Sequence, residues 1–471
     1  MIDKIKKLNI VILAVSLTMV CGCDVPFLDV NVRIDKQEES ADEISAAPPV
    51  ISINDGGSPV ITPVPEEDEY EYEEIYDPVE KQYSVETADH EKVTLAFVGD
   101  IGFAQGYATI NKYRSNGSDI HNSMDEGVLS IMQGADIMMA NNEFPYSDRG
   151  TPTPNKTFTF RADPKDAHIM QDMGVDIVGL ANNHAYDYGP DALIDTIDTL
   201  NDIKLPFVGA GKNIDEAMHP AYFHVNGHVV SIVAATQIER LGSPDTKEAT
   251  ADSPGVLRTL DPKKAVAAIE EAAANSDFTV MFVHWGTEST DLVEKSQRDL
   301  ARAYVDAGAD LIIGAHPHVL QGIDYVDDVP VFYSLGNFWF NSKTLDTCIV
   351  RATLDSECRL SQVEFIPCIQ RGSCVVSATD SEKARIFEYM RGISNYAEID
   401  DNGFVTKSDT DHNTQNGQNT SPARKSPEPA EGADPAAVPA SGENPPATSS
   451  QTQEEPTQQA NDIPDWAVQF D

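Results

Sequence analysis

Apolar residues fall along this chain in short unbroken runs, separated by stretches with helical spacing. Val93–Val98, Ile137–Ala140, Val175–Leu180, Val229–Ala234, Phe278–Val283 and Asp310–Ile313 each read as a strand. Val331–Ser334, Cys348–Leu354 and Ser361–Ile366 follow as further strands. Between them, Asp191–Leu200, Pro262–Ala274 and Lys295–Ala307 carry the i, i+3, i+4 spacing of amphipathic helices. Strand–helix alternation predicts the α/β class. The final strands have no helix between them, which predicts a mixed sheet or two packed sheets. No internal repeat is visible.

The pattern lapses at both ends. Lys4, Lys6 and Lys7 precede an apolar run from Leu8 to Val20, the layout of a secretory signal too short for a comfortable membrane span. Val20-Cys21-Gly22-Cys23 follows and resembles a bacterial lipobox. Residues 1–22 are thus expected to be a lipoprotein signal peptide, with Cys23 lipidated behind the small Gly22. An ordinary cleaved signal or an uncleaved anchor is the alternative. Two acyl chains give stable anchoring, so the protein is expected on the extracellular face of the cytoplasmic membrane. Residues 23–90 read as an acidic disordered stalk, because the acids from Glu66 to Glu80 have no Lys or Arg among them. Residues 396–471 read as a disordered tail rich in Pro, Ala, Ser, Thr, Gln and Glu. One folded domain, 91–395, is left between.

Charge narrows the partners. The 471 residues hold 33 Lys+Arg against 77 Asp+Glu, a net charge of −44. Nucleic acid is excluded, because phosphate binding needs Lys and Arg to release counterions. Electrostatic docking on anionic lipid is excluded for the same reason.

Polar residues gather where the expected strands end. Asp100 follows Val98-Gly99, Asn141-Asn142-Glu143 follows Ala140, and Ala181-Asn182-Asn183-His184 follows Leu180. His284-Trp285-Gly286 follows Val283, and Gly314-Ala315-His316-Pro317-His318 follows Ile313. Ligands of α/β sheets bind beyond the carboxyl ends of the strands. This set of carboxylate, amide and imidazole donors suits Mn, Fe or Zn. Taken one at a time, Asp100 reads equally as a helix cap, Asn182 and Asn183 as turn residues, and His284 as a core histidine.

The same residues carry a resemblance. Gly99-Asp100, Asn141-Asn142-Glu143, Asn182-Asn183-His184, His284-Trp285-Gly286, Gly314–His318 and Tyr333–Phe338 together resemble the CapA family of poly-γ-glutamate capsule biosynthesis proteins. That family is related to calcineurin-like metallophosphoesterases. The resemblance implies a double β-sheet sandwich flanked by helices, and two divalent metal ions. It implies that Asp100 binds one metal and that Glu143 bridges. Asn183, His284 and His316 would complete one ion's shell, and His318 would reach the other. His184 would be the catalytic proton donor or transition-state stabiliser. Two departures stand out. Gly102 occupies the place of the His in the phosphoesterase Asp-x-His motif, and the bridging residue is Glu rather than Asp. One tight and one weakly held ion are therefore expected, with Gly102→His strengthening the weak one if the backbone tolerates a Cβ.

Lys156 and Arg161, beside Phe158 and Phe160, are candidates for binding an anionic substrate; solvated charges on an edge strand are the equal alternative. Cys348, Cys358, Cys368 and Cys374 read as disulfide partners or as buried thiols. Two function classes follow. One is a metal-dependent hydrolase in poly-γ-glutamate (capsule) biosynthesis or export. The other is a non-catalytic accessory protein that binds the anionic polymer or the synthesis and export machinery.

Overall fold

The computed structural model describes residues 74–239 and 246–409, with the backbone of Ile51–Ile53 and Pro59–Ile61. The chain divides into two units, Met1–Glu71 and Tyr72–Asp471. In the first, Ile51–Ile53 pairs antiparallel with Pro59–Ile61. The expected signal peptide, Cys23 and the tail beyond residue 409 lie outside the described residues. Among the described residues no helix is long and apolar enough to cross a membrane.

The second unit is mixed α/β, built on two eight-stranded sheets. One runs Cys374–Ser377, Leu360–Arg371, Leu345–Leu354, Val93–Ile101, Ile137–Asn142, Ile177–Gly179 and Phe207–Val208, with Asn337–Trp339 also paired to Val93–Ile101. The other runs Ile323–Val326, Val329–Phe332, Leu311–Ala315, Phe278–His284, His228–Thr236, Ala221–Val225, Gln82–Ser84 and Tyr76–Asp77. Parallel and antiparallel pairs occur in both, as in Val93–Ile101 beside Ile137–Asn142 (parallel) and beside Leu345–Leu354 (antiparallel).

The two sheets share one core. Leu95, Phe97, Ile137, Met139 and Ile177 of the first meet Ile232, Val280, Phe282, Leu311 and Ile313 of the second. Alternate residues of the same strands face outward onto helices. Val98, Met138 and Val178 pack with Leu193 and Ile197 of the helix Pro190–Asp202. Val233, Met281 and Ile312 pack with Ala268, Ile269 and Ala301 of the helices Lys263–Ala274 and Lys295–Asp306. Strands covered on both faces carry no polar side, so they appear in sequence as unbroken apolar runs.

The fold is wider than 91–395. Tyr76–Asp77 and Gln82–Ser84 belong to the second sheet, although they fall within the expected stalk. The cause is aromatic. Tyr83 is buried, with its ring 5.4 Å from that of Phe223 and 5.5 Å from that of Tyr76. Past residue 395, Ala397–Ile399 and Val405–Lys407 form a hairpin whose Ala397, Ile399 and Val405 enter the shared core. All four cysteines of the described residues are free thiols. Cys348 joins the core between the sheets, whereas Cys368 of the neighbouring strand joins the outer one, so the two face opposite sides.

Candidate metal centre

Five strand ends bring the candidate residues together. Asp100 lies in Val93–Ile101, Glu143 follows Ile137–Asn142, and Asn183-His184 follow Ile177–Gly179. His284 ends Phe278–His284, and His316 and His318 follow Leu311–Ala315. The last two have φ of +97° and +59°, a left-handed conformation that non-glycine residues rarely adopt and that clusters at functional sites. The backbone amide of His316 approaches Asp100 Oδ2 at 3.4 Å, which ties the turn to the opposite sheet.

Donor atoms converge. His284 Nε2 lies 2.9 Å from Asn183 Oδ1 and 3.1 Å from His316 Nδ1. His318 Nδ1 lies 3.1 Å from Asp100 Oδ2 and 2.8 Å from Asn337 Oδ1. Asn141 Nδ2 donates to Asp100 Oδ1 at 2.7 Å. Glu143 Oε1 is buried without a hydrogen-bond partner. Around it stand His284 Nε2 and His184 Nε2 at 3.8 Å and His318 Nε2 at 3.9 Å, all beyond hydrogen-bond reach. Glu143, His316 and His318 can each aim a donor atom into one space less than 4.8 Å across.

The electrostatics fit a cation. Asp100 and Glu143 are both fully buried. Burial and then the charge of Asp100 push the Glu143 carboxyl well above the ordinary carboxylate range. Burial, reinforced by the neighbouring histidines, holds His284 and His316 well below the usual imidazole range, which favours the neutral rings. Burial also pulls on His318, but its hydrogen bond to Asp100 and that carboxylate's charge outweigh it and raise it. Two adjacent buried carboxylates, one with an orphaned oxygen, and two neutral imidazoles make a donor set for a divalent ion.

His184 is oriented by a residue that sequence reading missed. Its Nδ1 meets Asp187 Oδ2 at 2.7 Å. Asp187, buried, also accepts from Phe160 N at 2.6 Å and pairs with Lys156 Nζ at 2.6 Å. Burial lowers the His184 imidazole below its usual range. The Phe160 ring lies 4.3 Å from that of His184. The only sequence signal for Asp187 was its place three residues past His184.

Lys156 and Arg161 both have partners within the fold. Lys156 is nearly buried and committed to Asp187 and to the Asn183 carbonyl. Arg161 lies with its guanidinium 4.2 Å above the Tyr188 ring and donates to Arg149 O at 3.2 Å. The segment forms no strand.

Residues 94–342 match the family described as bacterial capsule synthesis protein PGA_cap. The PGA biosynthesis protein CapA of Bacillus subtilis (strain 168) is 32% identical over 57% of this chain and 69% of its own length. The capsule biosynthesis protein CapA of Bacillus anthracis is 31% identical over 65% of this chain and 74% of its own. Among solved structures, TT1561 of Thermus thermophilus aligns over 57% of this chain and 97% of its own at 10% identity, with a TM-score of 0.32, too low to argue from. A family match across more than half the chain, and two relatives above 30% identity, lead to one conclusion: this chain belongs to the PGA_cap family of bacterial capsule synthesis proteins.

Proposed function

We propose that this protein is a metal-dependent hydrolase of the metallophosphoesterase type, acting outside the membrane on an anionic capsule polymer such as poly-γ-glutamate or on its phosphorylated linkage. The observation that carries this reading is the orphaned Glu143 Oε1, enclosed by the imidazoles of His184, His284 and His318. Asn183, His284, His316 and Glu143 would hold one ion; Asp100, His318 and Glu143 would hold the other. Mn, Fe or Zn suits these donors, and when bound supplies Lewis acidity and an activated water for ester hydrolysis. His184 is the proton carrier. Asp187 fixes Nδ1, so Nε2 faces Glu143 and is the atom at which a proton is gained or given. Lys156 keeps Asp187 in place from behind. The Phe160 ring covers His184 and keeps water off that side.

The test is metal content and turnover of the full chain. Reconstitution with Mn should load transition ions, and a generic phosphodiester should be hydrolysed by wild type but not by His184→Ala. Loading without turnover on phosphodiester or poly-γ-glutamate would move the protein to the accessory class, binding polymer or the synthesis machinery.

A further inference from the structure

We infer that Asn337 is a ligand of the second ion, supplying the donor that Gly102 lacks. The inference rests on the metal-centre reading above. Asn337 opens the short strand Asn337–Trp339, which pairs parallel to Val93–Ile101 with Asn337 directly opposite Asp100. That register sets the two side chains beside each other. Asp100 N also donates to Gly336 O at 3.0 Å, locking the strands at this point. Asn337 is buried, and its Oδ1 stands 2.8 Å from His318 Nδ1, which stands 3.1 Å from Asp100 Oδ2.

Those spacings match the first group of donors. There, Asn183 Oδ1, His284 Nε2 and His316 Nδ1 are separated by 2.9 and 3.1 Å. Adjacent ligands of an octahedral ion with bonds of about 2.1 Å lie about 3.0 Å apart. Each group therefore combines an amide oxygen with imidazole nitrogen, and Glu143 Oε1 lies 3.8 Å from His284 Nε2 of the first and 3.9 Å from the other ring nitrogen, Nε2, of His318. A side chain on residue 102 itself is disfavoured, because a Cβ there would meet the Phe340 ring at 2.7 Å. Asn337 approaches from the neighbouring strand instead. The second ion then has Asp100, His318, Asn337 and the shared Glu143, four protein ligands where the sequence offered three.

The experiment is Mn titration of the full chain with counting of bound ions, for wild type, Asn337→Ala and Asn337→Asp, together with anomalous diffraction from Mn-loaded wild type. We expect two ions in wild type. Asn337→Ala should keep the first and weaken the second by about 10-fold or more, whereas Asn337→Asp should hold both. The density should place Asn337 Oδ1 on the second ion. Two ions with Asn337 Oδ1 bonded only to His318 Nδ1–H would overturn the inference and leave the metal-centre reading standing. A single ion, unaffected by Asn337→Ala, would also overturn it. Failure of wild type to bind any ion would overturn both.

Discussion

Gly102 and the Phe340 ring are in contact so close that a Cβ at residue 102 would lie 2.7 Å from Cδ2 and 2.8 Å from Cε2 of the ring. The same ring lies 5.0 Å from that of His318 and 5.5 Å from that of Phe160. Gly102→His is therefore not expected to add a metal ligand. It should cost about 1–3 kcal/mol through overpacking and should weaken ion binding by pushing Phe340 onto His318. Pairing it with Phe340→Ala should relieve the strain. Urea denaturation of the single and double variants checks this, and a single variant as stable as wild type would sink it.

Lys156 and Asp187 form a buried pair, so Lys156 is expected to matter for stability before it matters for substrate. Lys156→Met leaves a buried carboxylate whose remaining partners are His184 and the Phe160 amide. A loss of about 3–5 kcal/mol follows from breaking such a pair. Lys156→Met/Asp187→Asn should recover part of it, because no buried charge is then stranded. Unchanged stability in Lys156→Met, with only a higher KM for an anionic substrate, would return Lys156 to the substrate-binding role.

Legibility from sequence followed burial geometry. Val93–Val98 and Phe278–Val283 are apolar on both faces because each is covered twice, so run length alone located them. The candidate site residues were legible for a related reason: buried runs must end, and the polar residues just past them face one rim. What stayed hidden depended on partners distant in sequence. Tyr83 sits within an acidic stretch, and Phe223, far along the chain, packs against it in the core. Lys156 read as a substrate-facing cation because Asp187 lies 31 residues away. Phe340 filling the space at Gly102 is a contact between residues that no spacing rule connects.

Asp176 gives the fold a pH dependence of its own. Burial, its largest cause, raises its pKa from 3.8 to about 7, against the opposing hydrogen bond from Met138 N. The folded state therefore holds a proton that the unfolded state has released between those two values. Stability should fall as pH rises through that window and stay reduced above about 7. Asp176→Asn keeps an acceptor for Met138 N and removes the charge. It should be nearly neutral near pH 4 and stabilising by roughly 2–4 kcal/mol at pH 8. Equal effects at both pH values would refute this account.

Anchoring through Cys23 is expected to depend on that thiol alone. Cys23→Ala should release the protein from the membrane fraction or leave the precursor unprocessed, whereas Cys21→Ala should do neither. Metabolic labelling with a fatty-acid analogue reads it directly, and label retained in Cys23→Ala would move the anchor elsewhere.

Glu143 sets function against stability. Its carboxylate is fully buried beside that of Asp100, and burial and then that neighbour oppose its ionisation. Oε1 has no hydrogen-bond partner. Without a cation this arrangement is unfavourable, because two buried carboxylates side by side oppose each other's ionisation. Glu143→Gln keeps the shape and removes the charge. The metal-free variant should therefore melt above metal-free wild type by several degrees. Added Mn should then reverse the order. Wild type gains stability in proportion to the logarithm of ion concentration over Kd, while the variant, lacking the carboxylate common to both ions, gains little. His284→Ala should lose only the first ion's share of that gain, and His318→Ala only the second's. Melting curves in chelator and in Mn, run for all four proteins, separate these cases. A Glu143→Gln protein less stable than wild type in chelator, yet still stabilised by Mn, would mean that this carboxylate is structural and that the ions are held by the other residues.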